Sequence, residues 1–395
     1  MTRYILKHHT NPFRDGMHSM QLSVYSNSTQ RCKLFVCYLD IRRNEMCIYL
    51  GNNEDLTYQK QEHVFPAGLG GKRMLDHGVV SDQANNLFSP MELKLMRHSL
   101  IAFERMMYGP GKRGSHNPAK ASKSAVNVGL QDDGKPILCY TAAGKPYNIP
   151  QFHRHENEAT ISVPDEHADV EKQIKSFLVS LEHLPKKYTF LKSEHIPDGD
   201  ILIGVLDGIY YVATNSAKPT NACIEKEVQT FLANFQMKEI EYGENHAKQS
   251  HRLGEDSEIA RMYAKIAMNV LALRKGSEYA SHPNFSEIRN WILTGESSTE
   301  YFFLPQIQVE PLDEIMKMIP PKAHWCIFVC GNGKLDAIVC LYNRYIRRFT
   351  LGDLPDRKSF LLDGYICDWE NEQEYTVMQF IDMIARAHHD NLSSE

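Results

Sequence analysis

Residues 61–73, QEHVFPAGLGGKR, decide how this chain is read. The pair Glu62-His63 stands where a short extended run ends. Pro66 follows, and Gly70-Gly71 makes a turn that carries Lys72 and Arg73. A plain strand and turn has little use for that grouping. Phosphodiester hydrolysis uses nearly all of it: a base that takes a proton from water, a cation that neutralises charge building on the phosphate, and donors that hold the strand. Imidazole titrates near neutrality, which suits His63 as the base. Glu62 offers a hard oxygen to a divalent ion. Consecutive strand residues point to opposite faces, so both reach one site only if the strand ends or bends here. Pro66 and Gly70-Gly71 provide such a bend.

Working outward, VVSDQANNLFSP (79–90) brings Asn85 and Asn86 to the entrance of a helix. The spacing predicts Ser89 as N-cap, Pro90 at the first helical position and Glu92 closing an S-x-x-E capping box. Leu93, Met96, Leu100, Phe103 and Met107 then recur at helical spacing. A side-chain amide oxygen at that entrance, from Asn85 or Asn86, would complete a cation site. His98 lies two turns or more into the helix, on the order of 12 Å from its start, too far to be a third ligand. His77, in the intervening loop, is assigned no role.

Upstream, residues 18–50 read as strands: SMQLSVYS, KLFVCYLDI and NEMCIYLG. Downstream, GPGKRGSHNPAKASKS (109–124) is rich in Gly, Pro and Ser, carries Lys112, Arg113, Lys120 and Lys123, and holds no acid. It reads as a mobile basic linker. Its cations, with Lys72 and Arg73, are candidate phosphate contacts. Beyond it the pattern is mixed. Helical spacing runs through 167–185, 255–276 and 285–295, a strand pair turns near Asp207-Gly208, and a hairpin turns at Gly331-Asn332-Gly333. HRHENE (153–158) lacks a second ligand cluster at fixed spacing and reads as a polar loop. Cys326 and Cys330 alternate onto one strand face, where core packing is the default.

The whole chain sets bounds. Its 395 residues allow two or three domains, and 42% hydrophobic with 24% charged residues is the composition of a soluble protein. The longest apolar run, ILIGVLDGIYYVA, is interrupted by Asp207, so no spanning helix is expected. The first residues show no export signal, and nine scattered cysteines then read as thiols in a reducing, cytoplasmic setting. Residues 1–130 carry 17 Lys and Arg against 10 Asp and Glu, whereas the remainder carries 27 against 39. A nucleic acid would therefore meet the first third of the chain.

At CIYLGNN…QEHVFPAGLGG…VVSDQANN the chain resembles the HNH endonuclease family, over about residues 45–107. The likeness is to the subgroup in which Asn replaces the last His. It implies an α+β protein with a small ββα-metal module near the N-terminus. The expected layout is 1–108 for the strands and module, 109–134 for the basic linker and 135–395 for a larger α+β domain. His63 would be the general base, and Glu62 with Asn85 or Asn86 would hold Mg²⁺, or Mn²⁺ or Ni²⁺. The implied activity is metal-dependent hydrolysis of DNA, in phage defence or a mobile element. Two rivals follow: a degenerate module that only binds nucleic acid, and an effector whose C-terminal part, as sensor or homo-oligomerisation domain, gates the nuclease in response to a small molecule or protein. The family's structural zinc takes two C-x-x-C pairs. Here those positions are Cys47, Leu50, Ser81 and Ala84. With one thiolate of four, no structural zinc is expected, and a small apolar contact would replace it.

Overall fold

The structure is a computed structural model that describes residues 4–7, 21–24, 45–156, 158–164, 169–235, 247–248, 256–296, 315–355 and 362–392. The expected α+β class is observed. Two short strands, β1 (Tyr4–Lys7) and β2 (Gln21–Val24), pair antiparallel. The expected strand KLFVCYLDI, with Cys32 and Cys37, lies outside the described residues.

The central element is helix α5 (Ser257–Lys275). Asp256 caps it, and it ends at Gly276 as its spacing predicts. It is apolar on nearly every side, which is the pattern of a helix enclosed by other elements. Ile259, Met262, Ile266, Val270 and Leu271 are buried. It packs against α1 (Asp82–His98), α7 (Ser286–Thr294) and the C-terminal sheet.

That sheet is antiparallel, in the order β14 (Tyr345–Asp353), β13 (Lys334–Tyr342), β12 (Lys322–Gly331), β15 (Asp363–Asp368), β16 (Gln373–Thr376). The β12–β13 hairpin turns on Asn332 and Gly333, both at positive φ, as the Gly-Asn-Gly signal predicts. Side-chain alternation gives β12 two buried faces. Cys326 and Phe328 join the core around α5, while Trp325 and Ile327 face α8 (Val377–Leu392) through Phe380. Cys330 packs half-buried against the first of these cores, as expected. No disulfide joins cysteines among the described residues.

Residues 126–235 build a second body with cores of their own. A five-stranded sheet runs β7 (Glu158–Ser162), β6 (Gln151–His155), β9 (Ile201–Leu206), β10 (Ile209–Thr214), β8 (Thr189–Lys192). Helices α3 (Val170–Glu182) and α4 (Asn221–Asn234) cover one face through Phe177, Ile224 and Val228. Leu138 and Ile149, from the strands β4 (Pro136–Ala142) and β5 (Lys145–Asn148) and the turn after them, cover the other through Leu202. No helix among the described residues is long and apolar enough to cross a membrane.

Three expectations need correction. The strand NEMCIYLG is a tight turn over its described part: Gly51 N donates to the Cys47 carbonyl, and Met46 N and Ile48 N donate to Gly78 and Val79. Helix α1 starts at Asp82 with Ser81 as cap, because the Ser81 hydroxyl takes the Ala84 N–H. Pro90 therefore lies inside the helix, Ser89 Oγ donates back to the Asn85 carbonyl, and Glu92 is free to reach elsewhere. The segment 109–134 is not an extended linker. Two 3₁₀ turns fold it against the 67–70 turn, Arg105 holds the Gly68 and Gly111 carbonyls, and β3 begins at Asn127. The main core joins residues 47–101 to α5, α7 and the C-terminal sheet, so the expected boundary near 109–134 does not separate two cores.

His324 fastens the sheet to that first part. It is fully buried, accepts from Tyr342 N at Nδ1, and donates from Nε2 to the Leu69 carbonyl 3.1 Å away. Burial pushes its pKa down to about 3. Below the unfolded value of about 6.5 the unfolded chain takes a proton that the native ring refuses. Stability therefore falls as pH drops from there towards 3. Denaturation of His324→Gln between pH 6.5 and 4 should show a slope shallower than wild type by up to about 1.4 kcal/mol per pH unit. Equal slopes would mean that His324 is not kept neutral.

Candidate functional site

The stretch 61–75 folds back on itself. Val64 N donates to the Arg73 carbonyl and Leu75 N to the Glu62 carbonyl, with His63 and Met74 paired antiparallel between them. The reversal needs its glycines. Gly70 is at φ 89°, and a Cβ on Gly71 would collide with the Phe65 carbonyl. Pro66 caps a 3₁₀ turn over Ala67–Leu69. The two-residue problem posed by Glu62-His63 is thereby solved: both line one open cleft of about 280 Å³. Pro66, Ala67 and Gly68 share their wall, and Ser89, Glu92, Leu93 and Met96 of α1 form the other.

The geometry of α1 follows from its cap. Ser81 N and Oγ both lie 3.4 Å from the Cys47 sulfur, which also takes the Leu50 N–H. Ala84 is fully buried in the same core, with Leu50 packed against it. Positions 47, 50, 81 and 84 thus meet: the apolar contact expected of Cys47, Leu50 and Ala84 is joined by the Ser81 amide and hydroxyl on the Cys47 sulfur, which the sequence reading did not foresee. Anchored there, α1 turns Asn85, Ser89, Glu92 and Met96 onto one face.

The charge at the cleft is set by a lysine that the sequence reading did not single out. Lys265 of α5 has no solvent exposure. Its ammonium pairs with Glu62 Oε1, lies 2.6 Å from Glu92 Oε1, and sits 5.3 Å from the centre of the Phe88 ring. Burial alone would push this ammonium down, but the two carboxylates outweigh it and hold the group above its ordinary value. One turn further, Asn269 donates to the His63 carbonyl at 2.9 Å and accepts from the Tyr49 hydroxyl at 2.7 Å. The readable signal was two polar residues spaced i, i+4 within the otherwise apolar run 262–273.

The remaining candidates are placed as follows. Asn85 Oδ1 is buried with no hydrogen-bond partner, whereas Asn86 is exposed. Among the described residues none hydrogen-bonds the His63 ring. Lys72 is exposed and pairs with Glu372 at 2.7 Å, while the Lys72 and Arg73 amides donate to Glu374 Oε1 at 2.6 and 3.1 Å. Lys112, Arg113 and Lys120 are exposed on the 3₁₀ turns, and Gly114 abuts the Ala67 carbonyl beside the cleft. Lys123 is drawn away from it, 3.1 Å from Asp207 and over the Tyr140 ring. His77 sits 3.6 Å from Glu45, and His98 is exposed at the end of α1. Two oxygens of the kind a hard divalent cation takes are left here: the unpartnered Asn85 Oδ1, and the Glu62 oxygen not engaged by Lys265.

No protein-family model, curated protein or solved structure matches the chain.

The buried triad has a measurable consequence. Removing the lysine leaves the two carboxylates facing each other without a cation, and breaking a buried ion pair in this way costs about 3–5 kcal/mol. In urea denaturation Lys265→Met should fall in that range, and adding Glu62→Gln should restore part of it. A double variant no more stable than Lys265→Met would show that Glu62 and Lys265 are not coupled.

Proposed function

We propose that the chain is a divalent-metal-dependent endonuclease of the HNH type that hydrolyses DNA. One observation carries this reading: Glu62 and His63 share a single open cleft with Ser89 and Glu92 of α1, one helical turn along from Asn85, whose Oδ1 is buried without a partner. The joining of positions 47, 50, 81 and 84 supports it, since the family's zinc ties the same positions together. His63, held at its carbonyl by Asn269 and without a ring partner among the described residues, takes a proton from water. The water oxygen bonds to phosphorus, the bond to the 3′ oxygen breaks, and that oxygen is protonated by solvent. Glu62 and Asn85 would hold a Mg²⁺ or Mn²⁺ ion, which supplies positive charge to the phosphate and the departing oxygen. Lys265 holds the Glu62 carboxylate in place through its Oε1. Lys112 and Arg113 lie on the turn beside the cleft and would bind backbone phosphate, making cleavage weakly sequence-specific and salt-sensitive.

A second reading, a nuclease fold that only binds DNA, is favoured by the same Lys265: its ammonium already neutralises Glu62. A gated form of the enzyme is favoured by Glu372 and Glu374, which occupy Lys72 and the amides of 72 and 73.

The test is supercoiled plasmid with the full-length protein in Mg²⁺, Mn²⁺, Ni²⁺ or EDTA, beside His63→Ala. Metal-dependent nicking should appear and fall by about 10²-fold or more in the variant, the range for loss of a general base. DNA retention without cutting in any metal would establish the binding-only reading. Cutting by Glu374→Gln alone would establish gating.

A further inference from the structure

Away from the cleft, HRHENE is not the plain polar loop that its sequence suggests. His153 and His155 belong to β6, and the register of β6 on β9 pairs His153 with Leu202 and Arg154 with Ile201. Continuing that register sets Asp200 opposite His155 and diagonal to His153. Cross-strand neighbours on one sheet face lie close enough for their side chains to meet. Phe152 and Arg154 point to the other face, where Phe152 packs in the core beneath α3 and α4 and Arg154 pairs with Glu227 of α4 at 2.7 Å. The two histidines and Asp200 are thus left together on the face away from those helices.

The atoms converge. Asp200 Oδ2 is 3.0 Å from His153 Nε2 and 2.8 Å from His155 Nδ1, and the three atoms lie within 4.8 Å of one another. Zinc bonds of about 2.0 Å to nitrogen and oxygen require ligand atoms about 3.3 Å apart in a tetrahedron. The observed separations from Oδ2 fall only a few tenths of an ångström short of that. Burial is graded as a binding site needs. Asp200 is 4% exposed and His153 nearly covered, while the side chain of His155 is half open at 55%. Asp200 is a nearly buried acid whose two ring partners carry positive charge only when protonated. Burying a carboxylate without a cation is costly.

We propose that His153 Nε2, His155 Nδ1 and Asp200 Oδ2 form a binding site for a divalent transition cation of the zinc class, with solvent in the open position beside His155. Two imidazoles and one carboxylate select zinc, cobalt or nickel over magnesium, which prefers oxygen ligands and retains its water. Three protein ligands with one open position is the coordination of a site that exchanges or activates a ligand rather than a closed structural knot. The cation would also pin the turn after β6 to the start of β9. This site does not depend on the nuclease reading.

The experiment is calorimetric titration of metal-free, full-length protein with ZnCl₂ and separately with MgCl₂. Co²⁺ absorption serves as a second readout of tetrahedral coordination. His155→Ala and Asp200→Asn test the site, and His63→Ala is the control for the cleft. One equivalent of Zn²⁺ should bind, Mg²⁺ should not compete, and His63→Ala should leave that equivalent unchanged. Loss of even an outer-shell partner weakens metal binding by about 10–100-fold, so loss of the His155 ligand should cost at least about tenfold. His155 is half exposed, so His155→Ala keeps the fold, which the melting curve without metal verifies. Failure of the wild type to bind Zn²⁺, or equal binding by His155→Ala, would overturn the proposal. Loss of nicking in the plasmid assay would not touch it.

Discussion

A lysine ammonium without access to water, Lys265, is the constraint around which the first part of the chain is organised. A charge so placed is tolerated only when opposite charge and hydrogen bonds surround it. Glu62 comes to it from the reversed stretch 61–75, and Glu92 from α1. Because the middle of α5 is otherwise apolar, its axis is fixed by the C-terminal sheet on one flank and α7 on another. The lysine therefore transmits the position of the core to the cleft. Asn269, one turn along, does the same for the backbone of His63. The separation between His63 and Glu92 is thus set by a helix more than 160 residues away in sequence from either.

This arrangement explains why the two halves share one core. The stretch from 45 to 108 has little apolar surface of its own, and small domains are marginal unless stapled by metals or partners. Cys47 and Ser81 supply a weak staple in place of a metal knot. The larger contribution comes from Phe65, Phe88 and Leu95 packing into the cluster that holds Met262, Tyr263 and Phe349. His324 and Trp369 close the back of the 66–71 turn, the first through the Leu69 carbonyl and the second against Gly70. A truncation after residue 125 would leave that surface open.

Much of this was legible in the sequence, where local chemistry and periodicity agree. The Pro66 to Gly71 reversal, α5 between its Asp256 cap and Gly276, and the hairpin turns at 207–208 and 331–333 are dictated by residues within a few positions of one another. The start of α1 was misread because Ser89-Pro90-Met91-Glu92 satisfies every local rule for a cap. Ser81 prevails because its hydroxyl and amide also reach the Cys47 sulfur, a tertiary contact that no local pattern contains. The basic segment 109–124 looks like a linker by composition, yet its glycines permit close packing against the 67–70 turn. The partners of Lys265 and Asp200 were invisible for one shared reason. Each completes a cluster whose other members lie far away in sequence, and only strand register or helix packing brings them together.

The central claim is that Glu62 and Asn85 still offer oxygens to a cation although Lys265 holds one oxygen of Glu62. Anomalous diffraction at the manganese edge, from crystals of the full-length protein grown in Mn²⁺, measures this directly. A peak within bonding distance of Glu62 Oε2 and Asn85 Oδ1, with Lys265 still on Oε1, is the predicted result. A cleft with no peak there, at Mn²⁺ concentrations that saturate other sites in the same crystal, would contradict the account and leave Lys265 as the only cation this cleft holds.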